Sequence, residues 1–336
     1  MTTDWRATEV PAEFLERAAP EIRSEEVPDC PVCGERVSST FAVGFDYELL
    51  TCRNPWRFVR CARCSHVWLN PRPALSELGV IYPSSYYAYS YEQTINPIAV
   101  RAKQLLDELK IANILRQLPA APRSYLDVGC GSGRFLKALE RRGLSRDKLF
   151  GLELDRQVVA KLQAEGYRVA CERVEGCESI PAGALDLISM FHVIEHVDQP
   201  RAVVGKLARW LAPGGILALE TPNLDSVDAR LFRDGLWGGY HIPRHWHVFT
   251  PESLRALLTA AGLEVLGVSY HPGHSFWLYS LHHALRYGEP ARPKLARWFD
   301  PFQGALPLLM LFTGLDKLRA ALRQRTSAML VLARKR

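Results

Sequence analysis

A turn of alternating glycines between an apolar strand and a helix constrains the fold more than any other feature of this chain. The run YLDV at 125–128 is followed by GCGSG at 129–133, and the helical pattern RFLKALERRG comes next. Glycine suits this turn because a side chain would block a ligand from approaching the backbone. Glu153 ends the next apolar run, LFGLE, at the spacing where a carboxylate can accept both hydroxyl hydrogens of a ribose. Turn and acid together indicate an adenosine-type cofactor.

Runs of strand and helix character alternate along the rest of the chain. We predict strands near residues 124–128, 148–153, 167–171, 185–190, 215–220 and 263–269. Predicted helices cover residues 133–142, 155–165, 198–211 and 251–261. This alternation is typical of βαβ units and therefore of a parallel sheet.

Four stretches resemble the class I S-adenosylmethionine-dependent methyltransferases, and the resemblance covers residues 120–270. They are the DVGCGSG turn, the acid of GLELD, the strand LDLISMFHVIEHV and the segment LAPGGILALETPN. The resemblance implies an α/β fold with a doubly wound, mostly parallel, seven-stranded Rossmann-like sheet. It also implies S-adenosylmethionine as methyl donor. A dinucleotide-binding loop would instead carry Gly-x-Gly-x-x-Gly. The third glycine here falls one position early, which argues against NAD.

The same resemblance implies which residues contact the cofactor. The glycine turn would follow the methionine and ribose portion, Glu153 would bind the ribose, and residues 175–178 would line the adenine. Phe191 and His192 would lie beside the methionine end. The implied contacts are Asp127, Gly129, Cys130, Gly131, Glu153, Leu154, Cys177, Phe191 and His192.

Several side chains after the fourth predicted strand have a structural alternative. Phe191, Ile194 and Val197 are each expected more often to pack in the core than to touch a ligand. Glu195 and His196 form a pair that in this family often holds the loop in shape. We therefore do not assign His196 as a base.

Two cysteine pairs predict a metal site. Among eight cysteines, Cys30 and Cys33 form one Cys-x-x-Cys pair, and Cys61 and Cys64 form the other. In a reducing compartment such pairs indicate metal ligands rather than disulfides. Four thiolates complete a tetrahedral zinc site with no position for water, so the ion would stabilise a small fold and not catalyse. Four unrelated buried cysteines are the alternative.

The order of the segments resembles a bacterial group of methyltransferases with an amino-terminal zinc-binding domain. We predict a lead-in at 1–29, a zinc-ribbon-like module at 30–73, a tyrosine-rich linker and helix at 74–119, and a methyltransferase domain at 120–336 with an insertion at about 271–326. Some members of the group methylate nucleotide sugars at carbon, but those carry a further large α/β domain. We therefore expect methylation of a hydroxyl on a small-molecule, sugar or glycolipid acceptor, with nucleotide-sugar C-methylation as the alternative.

A histidine-rich segment, YHIPRHWHVFT at 240–250, supplies the candidate base. Transfer to a hydroxyl requires a proton acceptor near neutral pH, and histidine suits that role. We predict that His241 or His245 is catalytic, whereas His247 is expected to be structural. Tyrosines at positions 86, 87 and 89 would close over the cofactor or pack on the domain surface.

The carboxyl-terminal region is apolar and then basic. Residues 289–336 hold ten Lys and Arg against three acids. The apolar run PFQGALPLLMLF is too short to span a bilayer and suits a buried segment that caps the active site. Peripheral attachment to an anionic membrane through 301–325 is the alternative. The oligomeric state is left open.

Composition and charge bound the remaining possibilities. The chain is 48% hydrophobic and 23% charged, which excludes wholesale disorder. MTTDWRATEV has neither a basic n-region nor an apolar h-region, so we expect a cytoplasmic protein. A zinc-ribbon nucleic-acid-binding protein with a non-catalytic second domain is the competing class. It would use the arginines of the 30–73 module, which are Arg36, Arg53, Arg57, Arg60, Arg63 and Arg72. Outside 289–336 the net charge is slightly acidic, so we consider nucleic acid an unlikely partner.

Overall fold

The computed structural model describes residues 4–83, 97–300 and 306–336. Two compact units make up the chain. Unit 1 comprises residues 1–83, 221–256 and 268–330, and unit 2 comprises residues 84–220, 257–267 and 331–336. Tyrosines 86, 87 and 89 lie outside the described residues. The domain boundaries predicted from the sequence stay predictions. Each of the two units is defined by its compactness and combines three separate segments of the chain, so the units do not correspond to the predicted consecutive domains.

The strands are numbered in chain order. They are β1 (Ser24–Glu25), β2 (Ser38–Gly44), β3 (Trp56–Cys61), β4 (Val67–Leu69), β5 (Arg72–Pro73), β6 (Tyr125–Val128), β7 (Leu149–Glu153), β8 (Arg168–Cys171), β9 (Leu185–Phe191), β10 (Leu211–Pro222), β11 (His247–Val248), β12 (Leu263–His271) and β13 (Ala328–Lys335).

The α-helices are numbered in the same way. They are α1 (Ala12–Glu16), α2 (Leu78–Ile81), α3 (Pro97–Leu115), α4 (Arg134–Arg141), α5 (Arg156–Ala164), α6 (Pro200–Trp210), α7 (Val227–Leu231), α8 (Pro251–Ala260), α9 (His274–Tyr287), α10 (Pro293–Ala296) and α11 (Leu306–Ala321). No helix within the described ranges is both long enough and apolar enough to cross a bilayer.

The predicted α/β fold is confirmed. A seven-stranded sheet has the order β12-β13-β10-β9-β6-β7-β8, and β10, β9, β6, β7 and β8 pair in parallel with their neighbours. All four residues of β6 are buried, and β6 lies between β7 and β9. Because β6 is central, the glycine turn at its carboxyl end opens at the edge where parallel sheets bind ligands.

One strand begins earlier than predicted. We predicted a helix to residue 211 and a strand from 215, but α6 ends at Trp210 and β10 begins at Leu211. The pairing of β10 with β9 is interrupted between Leu211 and Ile216. Pro213 lacks an amide proton and Gly214 has φ +79°, so this segment cannot continue a regular ladder.

Unit 1 contains a four-stranded sheet in the order β11-β4-β3-β2. Its edge strand β11 comes from residues far along the chain, and His247 pairs with Trp68. The core of this unit joins side chains of the amino-terminal region, such as Trp56 and Phe58, to Trp237 and Trp246. The expectation that His247 is structural agrees with its burial in this sheet.

The region 271–326 folds mainly into α9, α10 and α11. The expectation that its apolar run is buried is wrong for the outer face of α11, where Met310 and Leu311 are exposed. The final apolar run forms β13.

Candidate functional site

The glycine turn after β6 has left-handed backbone conformations. Gly129, Gly131 and Gly133 have φ values of +74°, +48° and +76°. A Cβ atom on Gly129 would lie 2.4 Å from Cγ2 of Val193, whereas a Cβ on Gly131 would meet no atom within 4 Å. Gly129 therefore allows close packing of the turn on the loop after β9. Gly131 faces open space, as expected for the side that a ligand approaches.

Glu153 is bound to this same turn. Its Oε2 accepts a hydrogen bond from the backbone N–H of Gly131 at 2.8 Å. Its Oε1 accepts from the N–H groups of Leu154 at 2.6 Å and Asp155 at 3.1 Å. These bonds fix the carboxylate beside the glycine turn, so the structure brings the two sequence signals together. Each carboxylate oxygen can accept a further bond, which a ribose hydroxyl could donate.

Asp127, the third residue of β6, is buried and only partly hydrogen-bonded. Ser189 Oγ donates to Asp127 Oδ1 at 2.5 Å, and the hydroxyls of Ser189 and Tyr125 lie 2.5 Å apart. Asp127 Oδ2 is buried and accepts no hydrogen bond from the part of the chain that the structure describes. Burial raises the pKa of this carboxyl from 3.8 to about 7, against the lowering effect of the Ser189 hydrogen bond. An unpartnered carboxylate oxygen of this kind suits a cationic group.

Cys130 and Cys177 are buried, which restricts what their side chains can contact. Cys130 Sγ lies 2.9 Å from the Cβ position that Gly151 lacks, so it packs beneath β7 and only its backbone remains for a ligand. Cys177 lies in the 175–178 segment, which Lys206 holds in place. Lys206 Nζ donates to the carbonyl oxygens of Glu175 at 2.7 Å and Cys177 at 2.9 Å. Leu154 is exposed and offers apolar surface next to Glu153.

His192 follows β9 and has a strained backbone. Its φ of +55° is unusual for a residue other than glycine, and its N–H donates to the carbonyl of Glu220 at 2.8 Å. Its Nδ1 lies 3.3 Å from Glu195 Oε1, and its Nε2 lies 3.9 Å from Glu220 Oε1. Burial lowers the pKa of the imidazole, but these two carboxylates outweigh burial and raise the pKa above its usual 6.5. The side chain is 45% exposed.

Sequence reasoning missed several members of this cluster. Lys110 of α3 pairs with the buried carboxylate of Glu220, and its ammonium lies 5.0 Å from the centroid of the Phe191 ring. Nothing in the pattern of α3 distinguishes this lysine from its neighbours. Ser189 could have been recognised from the sequence, because its hydroxyl stands within the otherwise apolar core of β9. Phe191 packs edge-on against Phe135, as the packing alternative expected.

The predicted catalytic histidines lie in unit 1 and are buried. His241 Nδ1 lies 2.7 Å from Oε2 of Glu48, which is also buried. His245 Nδ1 lies 2.8 Å from the carbonyl oxygen of Gly239. The rings of the two histidines are 5.0 Å apart. Both assignments stay predictions.

The four predicted metal ligands form a compact cluster. Cys30 and Cys33 lie in the turn before β2, and Cys61 and Cys64 lie at the end of β3, with all four Sγ atoms within 4.8 Å of one another. The Sγ separations of 3.6 Å for Cys30 and Cys64 and 3.5 Å for Cys33 and Cys61 are too long for disulfides. Tetrahedral zinc with Zn–S bonds of about 2.3 Å requires sulfur separations of about 3.8 Å. The cluster therefore fits zinc with small adjustments.

Comparison with known proteins gives the class of this fold. A family model described as a methyltransferase domain matches residues 102–268. The ubiquinone biosynthesis O-methyltransferase of Xanthomonas axonopodis pv. citri is 31% identical over 184 residues, which cover 50% of this chain and 74% of that protein. The enzyme of the same name from Pseudomonas paraeruginosa is 31% identical over 187 residues, covering 50% and 77%.

Among the solved structures that match this chain are two S-adenosylmethionine-dependent methyltransferases. The one from Archaeoglobus fulgidus is 18% identical, covers 69% of this chain and 94% of its own, and has a TM-score of 0.45. The one from Mesorhizobium loti is 17% identical, covers 67% and 96%, and has a TM-score of 0.44.

The strand order, the glycine turn and the acid beside it define a nucleoside-binding α/β domain. The chain belongs to the class I S-adenosylmethionine-dependent methyltransferases, and it is a methyltransferase. The donor set fits the cofactor. The unpartnered Asp127 oxygen suits the α-ammonium group, the open side of Gly131 leaves room for the ligand, and Glu153 retains acceptor capacity for the ribose.

Proposed function

We propose that this protein transfers the methyl group of S-adenosylmethionine to a hydroxyl of a small-molecule or glycan acceptor. The observation that carries the proposal is the pairing of Glu153 with the backbone of Gly131, which joins a ribose acceptor to an open glycine turn. The names of the relatives, which are O-methyltransferases, support oxygen as the atom methylated. Carbon methylation of a nucleotide sugar stays the alternative.

Each cofactor contact has a separate physical role. Asp127 would hold the ammonium group, and Glu153 would accept the ribose hydroxyl protons. Leu154 would offer apolar surface to the adenine, and the 175–178 segment held by Lys206 would border it. Cys130 would contribute its backbone, since its sulfur packs beneath β7. The cofactor, when bound, supplies an activated methyl on a sulfonium, and the protein must align the acceptor oxygen with that methyl.

A proton acceptor is needed because the hydroxyl loses its proton as oxygen bonds to the methyl carbon. We propose His192 for this role beside the sequence-based candidates His241 and His245. His192 is half-exposed at the end of β9, and Glu195 and Glu220 would stabilise the imidazolium that forms. The methyl–sulfur electron pair stays on sulfur, so the products are the methyl ether, S-adenosylhomocysteine and a protonated histidine.

Binding of the cofactor is the first experiment. Isothermal titration calorimetry of purified protein with S-adenosylhomocysteine should give one site, and Glu153→Gln should weaken it by about tenfold or more, the loss of about one charge-assisted hydrogen bond. Glu165→Gln, which alters a surface ion pair with Lys137, is the matched control and should bind as the wild type does. An unchanged affinity in Glu153→Gln would refute the assigned role of this carboxylate.

Methyl transfer is the second experiment. Label from the methyl group of S-adenosylmethionine should appear on hydroxyl-bearing acceptors in a screen of phenols, sugars and glycolipids. With an acceptor identified, His192→Ala should reduce kcat by about 100-fold or more and remove the acid side of the pH profile, since general base catalysis contributes about 10²–10⁴-fold. If His241→Ala or His245→Ala lowered kcat by this factor while His192→Ala stayed active, the proton acceptor would be that histidine and not His192.

We also propose that Cys30, Cys33, Cys61 and Cys64 hold a structural zinc ion. The sulfur separations support a tetrahedral site. Backbone N–H groups of Arg63 and Cys64 point at Cys61 Sγ, each at 3.4 Å, which favours a thiolate there. With four protein ligands the site has no open position, so it would stabilise the fold and take no part in methyl transfer.

The competing hypothesis of a zinc-ribbon nucleic-acid-binding protein depends on the arginines of the 30–73 module. Most of these arginines already interact with other side chains. Arg36, Arg53 and Arg72 pair with Asp29, Glu21 and Glu25. Two others lie over aromatic rings, Arg57 over Trp5 and Arg60 over Phe41. Three of the six cations are therefore already paired with carboxylates, which weakens the match to a phosphate backbone. Incorporation of methyl label into RNA or DNA would reverse this judgement.

A further inference from the structure

Helix α11 exposes an apolar stripe. Leu311, Leu315, Leu318 and Leu322 recur at the spacing of one helical face, and Leu322 continues the helical hydrogen bonding by donating to the carbonyl of Leu318. Their exposed fractions are 61%, 41%, 60% and 63%, and that of Met310 beside them is 69%. Single exposed leucines are common on protein surfaces, but a contiguous stripe marks an interaction site.

The opposite face of α11 explains why the leucines point outward. Asp316 is fully buried and accepts hydrogen bonds from the backbone N–H of Gly273 at 3.0 Å and from Nε1 of Trp277 at 3.3 Å. Phe312 stacks on Trp277, with ring centroids 5.5 Å apart and an interplanar angle of 3°. A rotation that buried the leucine stripe would expose these groups and break their contacts. The helix is therefore fixed with a carboxylate inside and its leucines outside.

The charged side chains exposed on α11 and directly after it are cationic. Lys317 on α11 and Arg323 just after it are exposed, and Lys294 and Arg297 are exposed in the earlier segment 293–299. Trp298 next to them is 74% exposed. The only acid of α11 is Asp316, which is buried. Exposed leucines with exposed cations beside them, and no exposed acid on the helix, match the apolar interior and the negative surface of an anionic membrane.

We propose that the outer face of α11 binds the surface of an anionic lipid bilayer. The leucine stripe would enter the boundary between headgroups and acyl chains, and Lys317 and Arg323 would contact lipid phosphates. The helix has 16 residues and would lie in the plane of the membrane, since spanning requires about 20. A second copy of the chain fits less well, because a twofold contact would bring two sets of like charges together. The proposal is independent of the methyl acceptor.

Vesicle flotation tests the proposal with the full chain. The protein should float with phosphatidylcholine vesicles containing phosphatidylglycerol and remain at the bottom with phosphatidylcholine alone. Leu315→Glu with Leu318→Glu should reduce the floating fraction by about tenfold or more, because each substitution puts a negative charge where the proposal places an apolar side chain against an anionic membrane. Leu231→Glu is the matched control, because this leucine is 66% exposed on α7, away from the stripe, and should leave flotation unchanged.

A variant that changes only charged residues, and a measurement of the oligomeric state, complete the test. Lys317→Glu with Arg323→Glu leaves the apolar surface intact and should also lower binding to anionic vesicles, with S-adenosylhomocysteine binding retained as proof of folding. Equal flotation of the wild type and the leucine variant would overturn the proposal. So would a wild-type dimer in light scattering that the leucine variant converts to a monomer, because the stripe would then bind a second copy.

Discussion

Two glycines of the turn after β6 have different surroundings and should respond differently to a methyl group. Both have positive φ, where an alanine costs about 1–2 kcal/mol. Gly129→Ala adds a Cβ 2.4 Å from Val193, so we expect a further loss of about 1–3 kcal/mol from overpacking. Gly131→Ala adds a Cβ with no atom of the described residues within 4 Å, apart from its chain neighbours, and should retain the fold. Its methyl group would occupy ligand space and weaken binding of S-adenosylhomocysteine.

Thermal unfolding and calorimetry of the two variants check this prediction. Gly129→Ala should lower the melting temperature more than Gly131→Ala does, while Gly131→Ala should show weaker binding at a temperature where it is fully folded. If Gly131→Ala binds as tightly as the wild type, the open side of the turn is not the side that faces the cofactor.

The buried carboxyl of Asp127 should make stability depend on pH. Its pKa rises from 3.8 to about 7 on folding, so the native state holds a proton that the unfolded state has released between these values. Stability from this group is therefore present below pH 3.8 and is lost as the pH rises to about 7. Asp127→Asn should flatten that part of the profile and weaken cofactor binding. Urea unfolding of the wild type and of Asp127→Asn at pH 5, 6, 7 and 8 measures this dependence of stability on pH. Parallel stability profiles for the two proteins would contradict the prediction.

At the scale of elements, the two Cys-x-x-Cys turns depend on the metal they are proposed to share. Elemental analysis of the purified protein should give one zinc per chain. Cys33→Ser should lose the zinc and lower the melting temperature, and a strong chelator should have the same effect on the wild type, because metal binding contributes to folding. Cys171→Ser, which changes an exposed cysteine in unit 2, should retain both zinc and stability. A metal-free protein with wild-type stability would contradict the prediction.

Most of the strands and helices lie where the local sequence patterns predict them. Six predicted strands and four predicted helices occur within a few residues of their expected positions, because the apolar runs are long and end at glycine or proline. The difference at β10 arose because extended residues Leu211 and Ala212 precede an irregular Pro-Gly-Gly segment. The two-residue strand β11 could not be predicted, since a segment this short has no periodicity of its own.

At the scale of the whole molecule, a buried ion pair ties segments of unit 1 that lie far apart in the chain. Asp46 and Arg244 are both fully buried and form two hydrogen bonds of 2.9 Å. Burial would raise the pKa of Asp46, but the Arg244 charge outweighs it and lowers the pKa. Asp46→Ala should cost about 3–5 kcal/mol, because it leaves a buried guanidinium uncompensated.

Chemical denaturation measures this loss, and a surface pair provides the control. Asp29→Ala removes the exposed partner of Arg36 and should cost less than about 1 kcal/mol. Similar small effects of the two substitutions would mean that residues 30–73 and 221–256 are not joined through this pair.

Local sequence patterns were enough to predict most strands and helices of the α/β fold, the class of cofactor and the four clustered cysteines. These follow from short-range patterns, in which the spacing of apolar residues, glycines or cysteines decides the local geometry. Three features emerge from the folded chain and not from local patterns: β11 completes the amino-terminal sheet, Lys110 and Glu220 join the His192 cluster, and the burial of Asp316 turns the leucines of α11 outward. Those outcomes depend on which distant side chains become neighbours, and no local pattern contains that information.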